Sequence, residues 1–203
     1  MHLDYILKGE EMELDEIVLK AESIVERFKP VAEEVSGLKL SKPKIILSKT
    51  GNHSSMEYYS NEIFINRKFW ASIGDLYRTL DYFEFDIAHE LGHHISYTIN
   101  PRIAINNLRF ETIDEGFAEY FCLDLLPEGV LSEWVVDEYR EWLFGARSIY
   151  GIGYRFFRKT VDNLGKEEAF NVVKNLDTTQ YELKVPFEYV HRRKNGKFSN
   201  IYL

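Results

Sequence analysis

The residues best able to do chemistry lie in the segment HELGH, residues 89–93. Residues four positions apart share one face of a helix, so His89 and His93 can bind the same metal ion. Glu90, one position further round, can reach a water molecule beside that ion. Two imidazoles, a carboxylate base and an open coordination position are typical of a hydrolytic zinc site. The alternative is a buried helix whose two histidines form hydrogen bonds and bind no metal.

The surrounding pattern predicts that this segment is helical. Apolar side chains recur every four positions across residues 83–99, and Pro101 follows at the point where a helix would end. Gly92, between the histidines, is the one glycine in this stretch. Glycine inside a helix costs about 1 kcal/mol relative to alanine. We therefore expect a close packing contact at Gly92.

A third metal ligand is expected from the next helical stretch, about residues 111–126, because catalytic zinc usually has three protein ligands. Glu111, Glu115 and Glu119 are spaced four residues apart there and share a helix face. Like charges on one face of an isolated helix repel each other. The stripe is either solvated or neutralised by a cation, and the upstream histidines favour a cation between the two helices.

The motif HELGH followed by DEGFAEYF, residues 114–121, resembles the gluzincin metallopeptidases, and in particular the aminopeptidase N and thermolysin-like groups. The resemblance implies a zinc ion with Glu115 as the third ligand and Glu119 as the alternative. It also implies that Glu119 orients His89, as carboxylates commonly do for zinc-bound imidazoles. Asp114 stands where the aminopeptidases have asparagine.

The resemblance extends to residues 148–170. The family has a Tyr-x-x-Gly segment, an apolar helix and a Leu-Gly turn, and its tyrosine stabilises the oxyanion of the tetrahedral intermediate. The matching residue here is Tyr150, with Tyr154 one turn later as the substitute. The alternative is that Tyr150 is an ordinary core aromatic.

A weaker similarity concerns Met56 and Glu57. Aminopeptidases have a Met-Glu pair in this region, and its glutamate holds the amino terminus of the substrate, which implies that role for Glu57. Residues 62–66, which follow, read as a strand. We expect this strand to be the sheet edge that pairs with an extended substrate, as edge strands do in this family.

Length and composition predict one domain of 203 residues, because 45% of the residues are hydrophobic and no linker or repeat is visible. The expected fold is α+β and zincin-like. Residues 1–100, approximately, would form an N-terminal lobe with a small mixed sheet, helices and the HELGH helix. Residues 101–203 would form a mainly helical C-terminal lobe with the glutamate helix, and the active-site cleft would lie between the lobes.

Other elements follow from the apolar pattern and from turn residues. They are a helix over 11–36 ending before Gly37, a buried strand at 44–47, a helix near 67–80 and helices from Pro127 to about Leu176. In the segment 177–203 the pattern suits either a hairpin turn at Asn195-Gly196 or a helix that starts at Pro186.

The net charge of −8 argues against a nucleic-acid partner, because phosphate binding relies on clustered Lys and Arg. No secretory signal and no membrane-spanning apolar run is visible, so we expect a soluble cytoplasmic protein whose partner is a peptide or protein substrate. The single cysteine, Cys122, is expected to be packed.

The remaining histidines are weaker candidates. His94 is rotated about 100° from His93 on a helix, so it should miss the metal. His53 lies in a polar loop where it could contact substrate. His191 could assist oxyanion stabilisation, but nothing fixes its position.

The sequence thus predicts a zinc metallopeptidase with Glu90 as general base. One alternative is a regulatory protease of the ImmA/IrrE type, which cleaves a repressor. Those proteins share the HELGH segment and a glutamate-rich helix ending near Leu-Leu-x-Pro, similar to residues 125–127. The other is a non-catalytic, zinc-stabilised binding module, which loss of fold without metal would support. A closed fourth ligand would also support it, but the sequence offers no candidate for one.

Overall fold

The computed structural model has the α+β architecture that the sequence predicts. A small three-stranded sheet lies in the N-terminal half, and helices make up most of the remainder. No helix in the described part of the chain is long and apolar enough to cross a membrane. The structure describes residues 14–48, 55–57, 60–66, 76–104 and 108–176.

The elements are numbered here in chain order. The strands are β1 (Lys44–Ser48), β2 (Ser55–Glu57) and β3 (Glu62–Asn66). The helices are α1 (Leu14–Ser36), α2 (Leu76–Ile99), α3 (Leu108–Tyr120), α4 (Glu133–Gly145), α5 (Ile149–Leu164) and α6 (Glu167–Lys174). A 3₁₀-helix spans Pro101–Ala104, and a π-helical turn spans Phe121–Leu125.

Strand β3 is the middle strand of the sheet, so the prediction that residues 62–66 form an edge is wrong. It pairs in parallel with β1 along its whole length and antiparallel with β2. Ile63 and Ile65 of β3 are fully buried, and a strand this apolar is best placed between two neighbours. The short β2, with Ser55 and Glu57 exposed, takes an outer position instead.

Helix α1 confirms the predicted N-terminal helix over its described part. Gly37 follows its last residue with φ of 68°, a left-handed conformation that glycine adopts without strain. The N–H of Gly37 donates to the carbonyl of Glu33 at 2.9 Å. The apolar face of α1 packs against α2 and buries Ile17, Ile24 and Phe28.

Helix α2 carries the HELGH segment and ends at Ile99, as predicted. Its described part starts at Leu76, whereas the sequence suggested a separate helix near 67–80. Residues 76–80 are instead continuous with α2, and 67–75 lie outside the described residues. No glycine or proline interrupts residues 76–83, so no local signal ends one helix and starts another.

The predicted glutamate helix is α3 together with the π-helical turn that follows it. The wider turn closes with an N–H of Leu126 donating to the carbonyl of Phe121 at 3.0 Å. Cys122 lies in this turn and is buried, as predicted. Helices α4, α5 and α6 confirm the predicted helical C-terminal half, whereas segment 177–203 lies outside the described residues.

Glycines set the distances between the helices that carry the candidate site. A Cβ at Gly92 of α2 would lie 2.8 Å from the Cα of Ala118 in α3. A Cβ at Gly116 of α3 would lie 2.3 Å from the Cα of Gly153 in α5. Real Cβ atoms do not approach so closely, so both crossings require glycine. The packing contact predicted at Gly92 is confirmed.

Candidate metal centre

Three side chains from α2 and α3 meet in a cluster that can hold a metal ion. His89 Nε2 lies 3.0 Å from His93 Nε2 and 3.2 Å from Glu115 Oε2, and His93 Nε2 lies 3.3 Å from the same oxygen. Tetrahedral zinc with bonds of about 2.0 Å needs ligand atoms ~3.3 Å apart. The observed triangle is close to that size, so the three atoms fit one small divalent cation with little movement.

The helix crossing at Gly92 explains how these side chains meet. His89 and His93 are one turn apart on α2 and flank Gly92. Ala118, which Gly92 contacts, is three residues after Glu115 on α3, nearly one turn away. The close approach of the two backbones therefore brings the Glu115 carboxylate within reach of both imidazoles.

The charges around the cluster are compatible with a bound cation. Burial alone would raise the pKa of Glu115, but the adjacent His93 and His89 outweigh it and lower that pKa to about 2. Burial alone would lower the pKa of His89, but Glu119 and Glu115 raise it to about 9. His93 behaves likewise: burial opposes Asp114 and Glu115, and its pKa rises well above its usual range. The surrounding carboxylates thus favour positive charge where the imidazoles meet.

Metal affinity should therefore fall steeply as the pH is lowered. A metal ion binds neutral imidazole, so near neutral pH it must displace a proton from His89, whose pKa is about 9, and from His93, whose pKa is also raised. We expect the Kd for zinc to rise about 10–100-fold per unit between pH 8 and pH 6. Competition with a chromophoric chelator measures this Kd, and a Kd independent of pH would show that the histidines are not the ligands.

Glu90 has the environment of a general base. It is buried, and no described residue forms a hydrogen bond with its Oε2. Burial, opposed by the positive charge of His93 and His89, raises its pKa to about 7. A general base works best with a pKa near the working pH. The carboxylate thus suits proton transfer from a nearby water molecule.

Glu119 lies behind His89, on the side away from the cluster. Its Oε1 is 3.7 Å from His89 Nδ1, and its side chain is almost completely buried. Burial raises the pKa of Glu119 to about 7 against the opposing effect of His89. This position suits the predicted role of orienting His89, and it places Glu115 rather than Glu119 in the cluster. Glu111, the first residue of the stripe, is not part of the cluster.

Asp114 lies beside Nδ1 of His93, as Glu119 lies beside Nδ1 of His89. The sequence alone did not predict this contact. Its Oδ1 lies 3.0 Å from His93 Nδ1, and the Ser96 hydroxyl donates to the same oxygen. Two local features of the sequence could have indicated this contact. Ser96 is three residues after His93 on one helix, and Asp114 directly precedes the candidate ligand Glu115 on the other.

Tyr150 lies close to the cluster. Its ring centroid is 6.3 Å from that of His89, and the ring is half-buried. Tyr154, the substitute candidate, is instead fully buried, with its ring 5.8 Å from that of Phe144. Of the two tyrosines, Tyr150 is therefore the better candidate for contact with a ligand.

Two glycine contacts fix the first turn of α5, from which Tyr150 projects. A Cβ at Gly151 would lie 2.6 Å from the carbonyl oxygen of Ala146, just after α4. A Cβ at Gly153 would lie 2.2 Å from the carbonyl oxygen of Thr112 in α3. The backbone of Tyr150 thus lies between two contacts that only glycine permits. These two contacts set the distance between Tyr150 and the metal cluster.

The other candidates have simpler positions. His94 is buried away from the cluster, with Nε2 3.1 Å from the carbonyl oxygen of Ser41, so the prediction that it misses the metal is confirmed. Glu57 is exposed on β2, and its suggested contact with a substrate amino terminus stays a prediction. His53 and His191 lie outside the described residues.

Comparison with models of protein families, with curated proteins and with solved structures finds no match to this chain. The cluster itself is therefore the basis for assigning a function.

Proposed function

We propose that this protein is a zinc-dependent metallopeptidase of the gluzincin type. The observation that carries the proposal is the triangle of His89 Nε2, His93 Nε2 and Glu115 Oε2, with edges of 3.0–3.3 Å. Two imidazole nitrogens and one carboxylate oxygen are the protein ligands of catalytic zinc in peptidases, and they leave one position open. The buried Glu90 next to this triangle supports hydrolysis rather than storage or structural use of the ion.

The residues of the chain then have distinct tasks. His89, His93 and Glu115 hold zinc, which supplies Lewis-acid activation of the water and of the scissile carbonyl. Glu90 takes the proton of the attacking water and returns it to the leaving amine. The Tyr150 hydroxyl donates a hydrogen bond to the oxyanion that forms on the substrate carbonyl. Glu119 orients His89 from behind.

Substrate binding is best assigned to β2. This strand is at the outside of the described sheet, runs antiparallel to β3 and lies against the metal helix α2. An extended peptide can add to such a strand through main-chain hydrogen bonds. Glu57 is exposed on the same strand and is available to a substrate group.

The proposal is favoured over a non-catalytic zinc module by the number of ligands. A structural zinc site normally has four protein ligands. In the described ranges the metal cluster comprises three, and the nearby Glu90 is not one of them. Cleavage of a repressor, the regulatory alternative, concerns the choice of substrate at the same site.

Zinc titration of the metal-free protein tests this function. Hydrolysis of a fluorogenic peptide mixture should be absent without metal, rise with added zinc and saturate at one equivalent. Turnover in the absence of zinc would contradict the metal mechanism. Binding of one equivalent with no turnover on any peptide, together with unfolding of the metal-free chain, would support the binding module instead.

Replacing Tyr150 by phenylalanine tests the oxyanion role. The hydroxyl contacts the transition state more strongly than the ground state, so kcat should fall by about 10²–10³-fold with little change in KM. Tyr154→Phe is the matched control, because it removes a hydroxyl one turn away in the core, and it should leave kcat nearly unchanged. A kcat reduced by Tyr154→Phe and not by Tyr150→Phe would reverse the assignment.

A further inference from the structure

Asp114 and Ser96 form a second contact to the metal cluster, separate from the one between Glu119 and His89. Asp114 Oδ1 lies 3.0 Å from His93 Nδ1, on the opposite side of the ring from the cluster. In the neutral form of His93 that binds a metal, a carboxylate this close to Nδ1 favours the proton on that nitrogen, because a carboxylate can only accept a hydrogen bond. Nε2 then presents its lone pair to the position of the metal.

Ser96 holds this carboxylate in place. Its hydroxyl donates to Asp114 Oδ1 and also lies 2.9 Å from the carbonyl oxygen of His93. Ser96 is fully buried, and the Asp114 side chain is 8% exposed, so water cannot easily replace either contact. Ser96 and His93 belong to α2, whereas Asp114 belongs to α3. The contact therefore links His93 and Ser96 of α2 to Asp114 of α3.

The two histidines differ in how closely a carboxylate contacts their Nδ1 atoms. The distance from His93 Nδ1 to Asp114 Oδ1 is 3.0 Å, whereas that from His89 Nδ1 to Glu119 Oε1 is 3.7 Å, which is too long for a hydrogen bond. Partners of this kind fix the orientation of a metal-binding imidazole and contribute to metal affinity. We propose that Asp114, which accepts a hydrogen bond from Ser96, is a positioning residue that holds the His93 imidazole in the orientation needed for metal binding. This inference rests on the metal site of the proposed function but not on peptide hydrolysis.

Zinc affinity of the full chain tests this role. Asp114→Ala should raise the Kd for zinc about 10–100-fold. Asp114→Asn keeps an oxygen acceptor of the same size and should recover most of the affinity. Ser96→Ala should show a smaller loss in the same direction. Glu128→Ala, at an exposed acidic position in the turn before α4, is the control for a change in net charge and should bind zinc as the wild type does.

Cobalt absorption separates positioning from a general structural effect. Co²⁺ takes similar ligands to zinc, and its visible bands report the coordination geometry. We expect altered bands for Asp114→Ala and nearly normal bands for Asp114→Asn. The proposal is overturned if Asp114→Ala binds zinc within about twofold of the wild type, since outer partners normally contribute at least tenfold. It is also overturned if the variant lowers only the stability of the metal-free chain and leaves the cobalt spectrum unchanged. No peptide is used, so the result is independent of whether the protein is a peptidase.

Discussion

Glutamine in place of Glu90 should lower kcat for peptide hydrolysis by about 10²–10⁴-fold while zinc stays bound. The substitution keeps the size of the side chain and removes its ability to accept a proton. Glu90 is not one of the three residues of the metal cluster, so the ligand set is unchanged. Steady-state kinetics on one peptide, with the zinc content measured in the same samples, give both quantities.

The matched control for this variant is Glu111→Gln. Glu111 is a half-buried glutamate on α3, one helical turn before Glu115, but it is not part of the cluster. Its replacement should leave both zinc content and kcat close to those of the wild type. Equal activity of Glu90→Gln and wild type at equal zinc content would mean that another group is the base.

Alanine in place of Gly153 should destabilise the protein by about 3 kcal/mol or more. The added Cβ would lie 2.2 Å from the carbonyl oxygen of Thr112 and 2.6 Å from the Cα of Gly116. Both are backbone atoms of α3, so no side-chain rotation can relieve the contact. Helices α3 and α5 must separate, which moves Tyr150 and Glu115 apart. Activity should therefore fall together with the free energy of unfolding, measured by chemical denaturation.

Gly145→Ala is the control for that experiment. Gly145 is the last residue of α4, and a Cβ there would meet no atom within 4 Å. Alanine is also the better helix former, so this variant should be neutral or slightly stabilising. If Gly153→Ala were as stable as Gly145→Ala, the close helix crossing would be wrong.

The metal cluster was predictable because its signals are local. His89 and His93 are one helical turn apart, and Glu115 lies on the next helix along the chain. The period of the helix fixes which side chains share a face. The apolar pattern then fixes which face is buried. The glycine between the histidines indicated a close helix contact, and that contact is present at Ala118.

Features that depend on distant pairing were harder to predict. The sequence identifies residues 62–66 as a strand, but the choice of middle or edge position depends on which other strands pair with it. The role of Asp114 depends on the angle between α2 and α3, because only the crossing brings its carboxylate to His93. The partner of Gly153 is likewise a glycine 37 positions earlier in the chain, Gly116.

The most direct measurement is to identify the products formed from a mixed peptide library, by mass spectrometry, with zinc-loaded wild type and Glu90→Gln in parallel. We predict new peptide termini with the wild type alone, and the cleaved positions will distinguish exopeptidase from endopeptidase action. Equal cleavage by both proteins would contradict the role of Glu90. No cleavage by a wild type that holds one equivalent of zinc would contradict general peptidase activity at this site.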